Sequence, residues 1–182
     1  MGVKTYLQKR ILNKEAQRNK REKQMKNLLD MRSLLVVCSV ASLKEWEKWK
    51  IVFSNATLKE VEVLAFVNTE KMPLEKDAAM EPNVIYPKQL NWLGRMKNED
   101  TLRTFVDKKY DLLIDLNFDD RFILNWVFIK SQAGLKVGSN HRKTMLEHFD
   151  LIIKTESAKD KPKLYIDQVF YFLQNINKNG DS

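Results

Sequence analysis

The chain has 182 residues, 43% hydrophobic and 10% aromatic, enough for one domain with a core of its own and too much for disorder throughout. Its formal charge is +8, and it holds one cysteine, Cys38, and two histidines, His141 and His148. These totals exclude an internal disulfide framework and the common structural zinc sites, and no apolar run reaches the ~20 residues that span a bilayer.

The charge is uneven. Residues 1–32 hold ten Lys/Arg against three acids, a net +7, which leaves +1 for the other 150 residues. The division expected is a basic arm (1–32) on a near-neutral body (33–182). The arm has no proline and many helix formers, so a helix is predicted. Its apolar residues sit at the two ends, and the middle, "NKEAQRNKREKQ", is polar all round. Such a middle suits a helix that projects or lies on a charged surface. Lys9, Arg10, Lys14, Arg18, Lys20, Arg21 and Lys23 are the candidates for contact with an anionic partner, RNA or the ribosome first and an anionic inner-membrane surface second. On this reading the body folds without residues 1–32.

From residue 33 the pattern alternates. "LLVVCS" (34–39) reads as a strand buried on both faces, with Cys38 an inert interior thiol. Ser42 and Glu45 have the spacing of a capping box, and "LKEWEKWKIVF" follows as a helix. "EVEVLAFVN" (60–68) is a second strand. The stretch 71–100 carries Pro73, Pro82 and Pro87, a short strand "NVIY", and a turn at "NWLGR" that pairs Trp92 with Arg95. "TLRTFVDKK" is a short helix and "YDLLIDL" (110–116) a strand. The helix in "DDRFILNWVFIKSQA" is apolar over 122–129 apart from Asn125, so it must be buried or face a protein partner. "GLKVGS" and "FDLIIKT" are short strands, and "LYIDQVFYFLQNI" is a closing helix. This alternation predicts an α/β fold: a Rossmann-like, mostly parallel sheet with helices on both faces.

Ligands of such sheets sit beyond the carboxyl ends of the strands. Ser39, Ser42, Asp115, Asn117, Asp119 and Arg121 lie there, and so do Ser139, Asn140, His141 and Arg142 in "VGSNHRKT". These ten line the candidate ligand cleft. Capping and ion pairing explain the same letters, because Asp119 and Asp120 stand where a helix begins. Neither βα turn carries G-x-G-x-x-G or a P-loop, so no cofactor or metal is expected and no catalytic residue is assigned.

The stretch "YDLLIDLNFDDRFILNWVFIKSQAGLKVGSN" resembles the N-terminal, acceptor-side domain of heptosyltransferase-type glycosyltransferases, where a similar strand, helix and strand follow one another. The likeness covers roughly 100 residues and implies a fold and an ancestry. Those enzymes are about twice as long, with a second domain for the nucleotide-sugar donor, and their "GD" after the first strand is "SVAS" here. The chain also resembles short uncharacterised bacterial proteins with a basic N-terminal helix. The function expected is therefore a cytoplasmic, non-catalytic domain with an anion-binding arm. The alternative is a small-ligand binder or degenerate glycosyltransferase-like enzyme using the strand ends.

Overall fold

The computed structural model describes residues 2–54, 58–68, 83–155 and 161–176. Residues 71–82 of the proline-bearing stretch, with Pro73 and Pro82, lie outside them. The elements run α1 (Val3–Arg18), β1 (Ser33–Val40), α2 (Leu43–Ser54), β2 (Glu60–Val67), β3 (Val84–Ile85), α3 (Asp100–Asp107), β4 (Leu112–Leu116), α4 (Phe122–Lys130), β5 (Leu135–Ser139), β6 (Leu151–Ile153) and α5 (Pro162–Asn175).

All strand pairs are parallel, in the order β3-β2-β1-β4-β5-β6. The Rossmann-like α/β expectation is met. β1 lies at the centre, with Leu34 opposite Val61 on one side and Leu112 on the other. Every residue of β4 is buried, which is why "LLIDL" reads as a continuous run. Side chains of β1 alternate between two cores. Leu34, Val36 and Cys38 face a layer with Trp46 and Phe53 of α2 and Tyr165, Val169 and Leu173 of α5. Leu35 and Val37 face a layer formed with α3 and α4. Ser42 caps α2, accepting from the Glu45 amide at 3.3 Å, while Glu45 Oε2 accepts from the Ala41 amide at 2.8 Å.

α4 explains why α1 sits where it does. Its residues Phe122–Ile129 are all buried, so it needs cover on every side. The sheet lies against one side and α3 packs on another, while α1 sets Ile11, Leu12 and Ala16 against the same core. The helix 122–129 is therefore interior and offers no face to a protein partner.

The predicted helix of the arm stops at Arg18, and the chain from Asn19 to Met25 follows the body as neither helix nor strand. Tertiary hydrogen bonds outcompete further helix. Asn19 Nδ2 donates to the carbonyls of Ile129 (2.6 Å) and Ser131 (3.1 Å), at the C-terminal end of α4. Gln24 N donates to Gly134 O at 3.0 Å. The arm is thus docked on the body along much of its length and does not stand away from it.

Candidate functional site

The acids after β4 form a closed knot. Asp115 accepts from the Asn117 amide at 2.8 Å and from Arg142 Nε at 2.9 Å. Arg142 Nη1 donates to Asp120 Oδ1 at 2.8 Å, and its Nη2 donates to Asn125 Oδ1. Asn125 Nδ2 returns a bond to Asp120 Oδ1 at 2.8 Å. Asn117 Nδ2 donates to Arg121 O and to Asn125 Oδ1, and Asn117 Oδ1 accepts from the Arg121 amide at 2.9 Å. Asp115, Asn117, Asn125 and Arg142 are all buried. Interior polar groups must be paired, and these pair with one another, so the cluster ties the β4 and β5 loops to the start of α4. The cation that pairs with Asp115 is Arg142, and not Arg121, the candidate nearer to it in the chain. Arg121 instead places its guanidinium 4.9 Å over the Phe66 ring.

The other candidates of the cleft serve the backbone. Ser39 Oγ accepts from the Asp119 amide at 3.3 Å. Ser139 Oγ accepts from the His141 amide at 3.2 Å, and Asn140 Oδ1 accepts from the Thr155 amide at 3.1 Å. His141 Nε2 meets the Thr155 carbonyl. Gly138 lies under the Phe149 ring, where a Cβ would stand 2.2 Å from a ring carbon. Between the ends of β1 and β4 a cavity of about 180 Å³ is lined by Ser39, Glu45, Trp49, Phe118 and Asp119. The ten cleft residues therefore do not share one opening. Among the described residues no group of three or more His, Cys, Asp or Glu side chains is placed to hold a metal.

The arm candidates divide in two. Lys9, Arg10, Lys14, Arg18, Lys20 and Lys23 are exposed. Tyr6, Arg10, Lys14 and Arg18 recur every four residues, so they form one row on the helix side turned from α4. Among the described residues, Lys9, Arg10, Lys14 and Arg18 have no carboxylate within ion-pair distance. Arg21 departs from expectation. Its side chain is 8% exposed; it pairs with Asp150 and donates to the carbonyls of Ala133 (3.0 Å) and Gly134 (2.9 Å). Burial pushes the Asp150 carboxyl up, but bonds from Arg21, the Lys136 amide and Lys23 outweigh it and hold the group below the usual carboxylate range. Lys23 also reaches Asp150, at 3.1 Å, and Lys26 reaches Asp111 at 2.9 Å.

The docking of α1 creates a feature that no local pattern announces. A groove of about 440 Å³ lies between α1 and the β5–β6 connection, above the start of α4. Thr5, Lys9, Leu12 and Asn13 form one wall, Lys143–His148 the other, and Asp120, Phe122 and Asn125 the floor. The volume falls within the range of small-ligand sites. Next to it, Gln8 Nε2 donates to Leu93 O at 2.8 Å, which ties the turn bearing Trp92, 68% exposed, to the helix. The walls come from residues 130 or more positions apart. The sequence signals near the groove were the exposed polar surface expected of the arm and the stretch "VGSNHRKT", whose Lys143 and Thr144 line it.

The chain belongs to a family of unknown function (DUF6913), whose pattern it matches over residues 4–176. No curated protein and no solved structure matches it significantly.

Proposed function

We propose that this member of an uncharacterised family is a non-catalytic RNA-binding domain of the cytoplasm, and that the outer face of α1 is its phosphate-binding surface. One observation carries the reading. α1 is fixed on the body by Ile11, Leu12 and Ala16, while Arg10, Lys14 and Arg18, with Lys9 beside them, face solvent without carboxylate partners among the described residues. Unpaired cations in a fixed row suit a polyanion, because each neutralised phosphate releases bound counterions. Such contacts position the nucleic acid and do not read its bases. Tyr6, 57% exposed at the head of the row, and Trp92 offer faces on which bases of a single strand can stack. The exposed face of α1 is polar and cationic, with Asn13 and Gln17 beside the row, which favours RNA over an anionic bilayer that needs a continuous apolar face. No helix among the described residues is long and apolar enough to cross a membrane.

Fluorescence anisotropy of a labelled single-stranded RNA tests the proposal. The double variant Arg10→Glu, Lys14→Glu is expected to bind at least about tenfold more weakly at moderate salt. Equal affinity for the two proteins contradicts it. Co-sedimentation with anionic vesicles is the parallel assay; binding there and none to RNA reassigns α1 to the membrane surface.

The cavity between β1 and β4 favours a second reading, small-ligand binding at the point where the strand order reverses. Its volume of about 180 Å³ admits only a small polar molecule. A thermal shift with a small sugar phosphate, lost on Ser39→Trp, supports that reading, and no shift counts against it.

A further inference from the structure

Lys9 and Asn13 belong both to the outer face of α1 and to the lip of the groove beside it, so the two surfaces are continuous. Their chemistry differs. The outer face is cationic. In the groove the charges cancel, with Lys9 and Lys143 against Asp120 and Glu147. Arg142, beneath the floor, is already held by Asp115 and Asp120. His148 is kept below its ordinary pKa by burial and is uncharged at neutral pH. A phosphate gains little in such a place. An uncharged group with hydrogen-bonding edges and a ring fits it better. Asn13 and Thr144 stand beside the apolar patch of Leu12, Phe122 and Met145.

Asp120 is the distinctive group. Its φ of 55° makes it the only non-glycine with positive φ among the described residues, and such a conformation persists where the surroundings enforce it. Here the enforcing bonds come from Asn125, Arg142 and Thr144. They spend Oδ1. Among the described residues Oδ2 accepts only from the Thr144 hydroxyl, at 3.2 Å, and the side chain remains 46% exposed at the groove floor. The result is an ionised carboxylate held still, with capacity to accept another hydrogen bond.

We propose that this groove receives one ribonucleoside of the strand bound along α1, and that Asp120 accepts a hydrogen bond from its ribose 2′-hydroxyl. The inference rests on the RNA-binding reading of α1 and adds discrimination of RNA from DNA to it. A cationic row beside a neutral pocket matches the alternation of phosphate and nucleoside in a nucleic acid. The 2′-hydroxyl is what distinguishes the two polymers, and a deoxyribose leaves the Asp120 carboxylate unanswered.

Anisotropy with oligouridine and its 2′-deoxy counterpart, at matched salt, tests the inference. The wild-type protein is expected to bind the ribose form about tenfold more tightly, as for one charge-assisted hydrogen bond. Thr5→Trp fills the groove from an exposed position that makes no bond to the Asp115–Arg142 knot. It should bring the ratio close to one and leave the salt dependence unchanged. Asp120→Asn should do the same where thermal denaturation shows that it is folded. Equal binding of both polymers by the wild type, or a ratio untouched by Thr5→Trp, overturns the groove and leaves α1 standing. Absence of binding to either polymer removes both.

Discussion

Arg142 Nε donates to Asp115 Oδ2 at 2.9 Å, and the two side chains are 3% and 1% exposed. The pair joins the end of β4 to the turn after β5, and both loops depend on it. An acid at the end of a parallel strand is the usual mark of a ligand site, yet this one is consumed inside the protein. Replacing Arg142 with Met keeps much of the volume but leaves Asp115 buried without its cation. The expected loss is about 3–5 kcal/mol of stability. Denaturant titration measures it, and a loss below about 1 kcal/mol contradicts a structural role for the pair.

Arg21 sets the next expectation. It was a candidate for contact with an external anion, and it is spent on Asp150 and two carbonyls. Arg21→Ala should cost about 2–4 kcal/mol, whereas Lys23→Ala, at a side chain 73% exposed, should cost under about 0.5. Amide hydrogen exchange should show protection lost over 19–27 and along α4 in the first variant only. Deletion of residues 1–32 strips α4 of one of its covering helices, so the truncated chain is expected to aggregate or unfold, contrary to the independence that charge segregation suggested.

Lys136 gives the protein a pH dependence of known sign. Its ammonium lies under the end of α4, donating to the carbonyls of Phe128 (2.6 Å) and Ile129 (3.0 Å). Burial, helped by the nearby charge of Arg21, pulls its pKa down to about 7. In the unfolded chain the group titrates near its ordinary value of ~10.4. Between these two values the unfolded chain holds the extra proton, so this group's contribution to stability rises with pH across the window. Below pH 7 both states are protonated and the cost is fully present. The stability of the wild type relative to Lys136→Met, followed by denaturation from pH 7 to 9, should therefore increase; a constant difference contradicts the assignment.

The elements were legible where burial is uniform. "LLVVCS" and "LLIDL" are apolar because both faces of β1 and β4 are covered, and the apolar 122–129 announced an interior helix. The end of α1 was not legible. "NKREKQ" favours helix locally, and what stops it is a set of bonds from Asn19, Arg21 and Gln24 to residues 129–134, invisible to any local pattern. The strand-end residues were found, with capping and ion pairing among their readings, but the partner of Asp115 was not legible, because Arg142 meets it only after β5 has returned alongside β4. The groove escaped for the same reason, since Asn13 and Thr144 become neighbours only when α1 docks.

The most direct test of α1 as a phosphate-binding row is the slope of log affinity for single-stranded RNA against log salt concentration. With Lys9, Arg10, Lys14 and Arg18 engaged, a slope of about −3 is predicted for the wild type, at roughly 0.7 per phosphate neutralised. The charge-reversed Arg10→Glu, Lys14→Glu protein should show about half that slope or less. A slope near zero in the wild type, or one that the double substitution leaves unchanged, would contradict it.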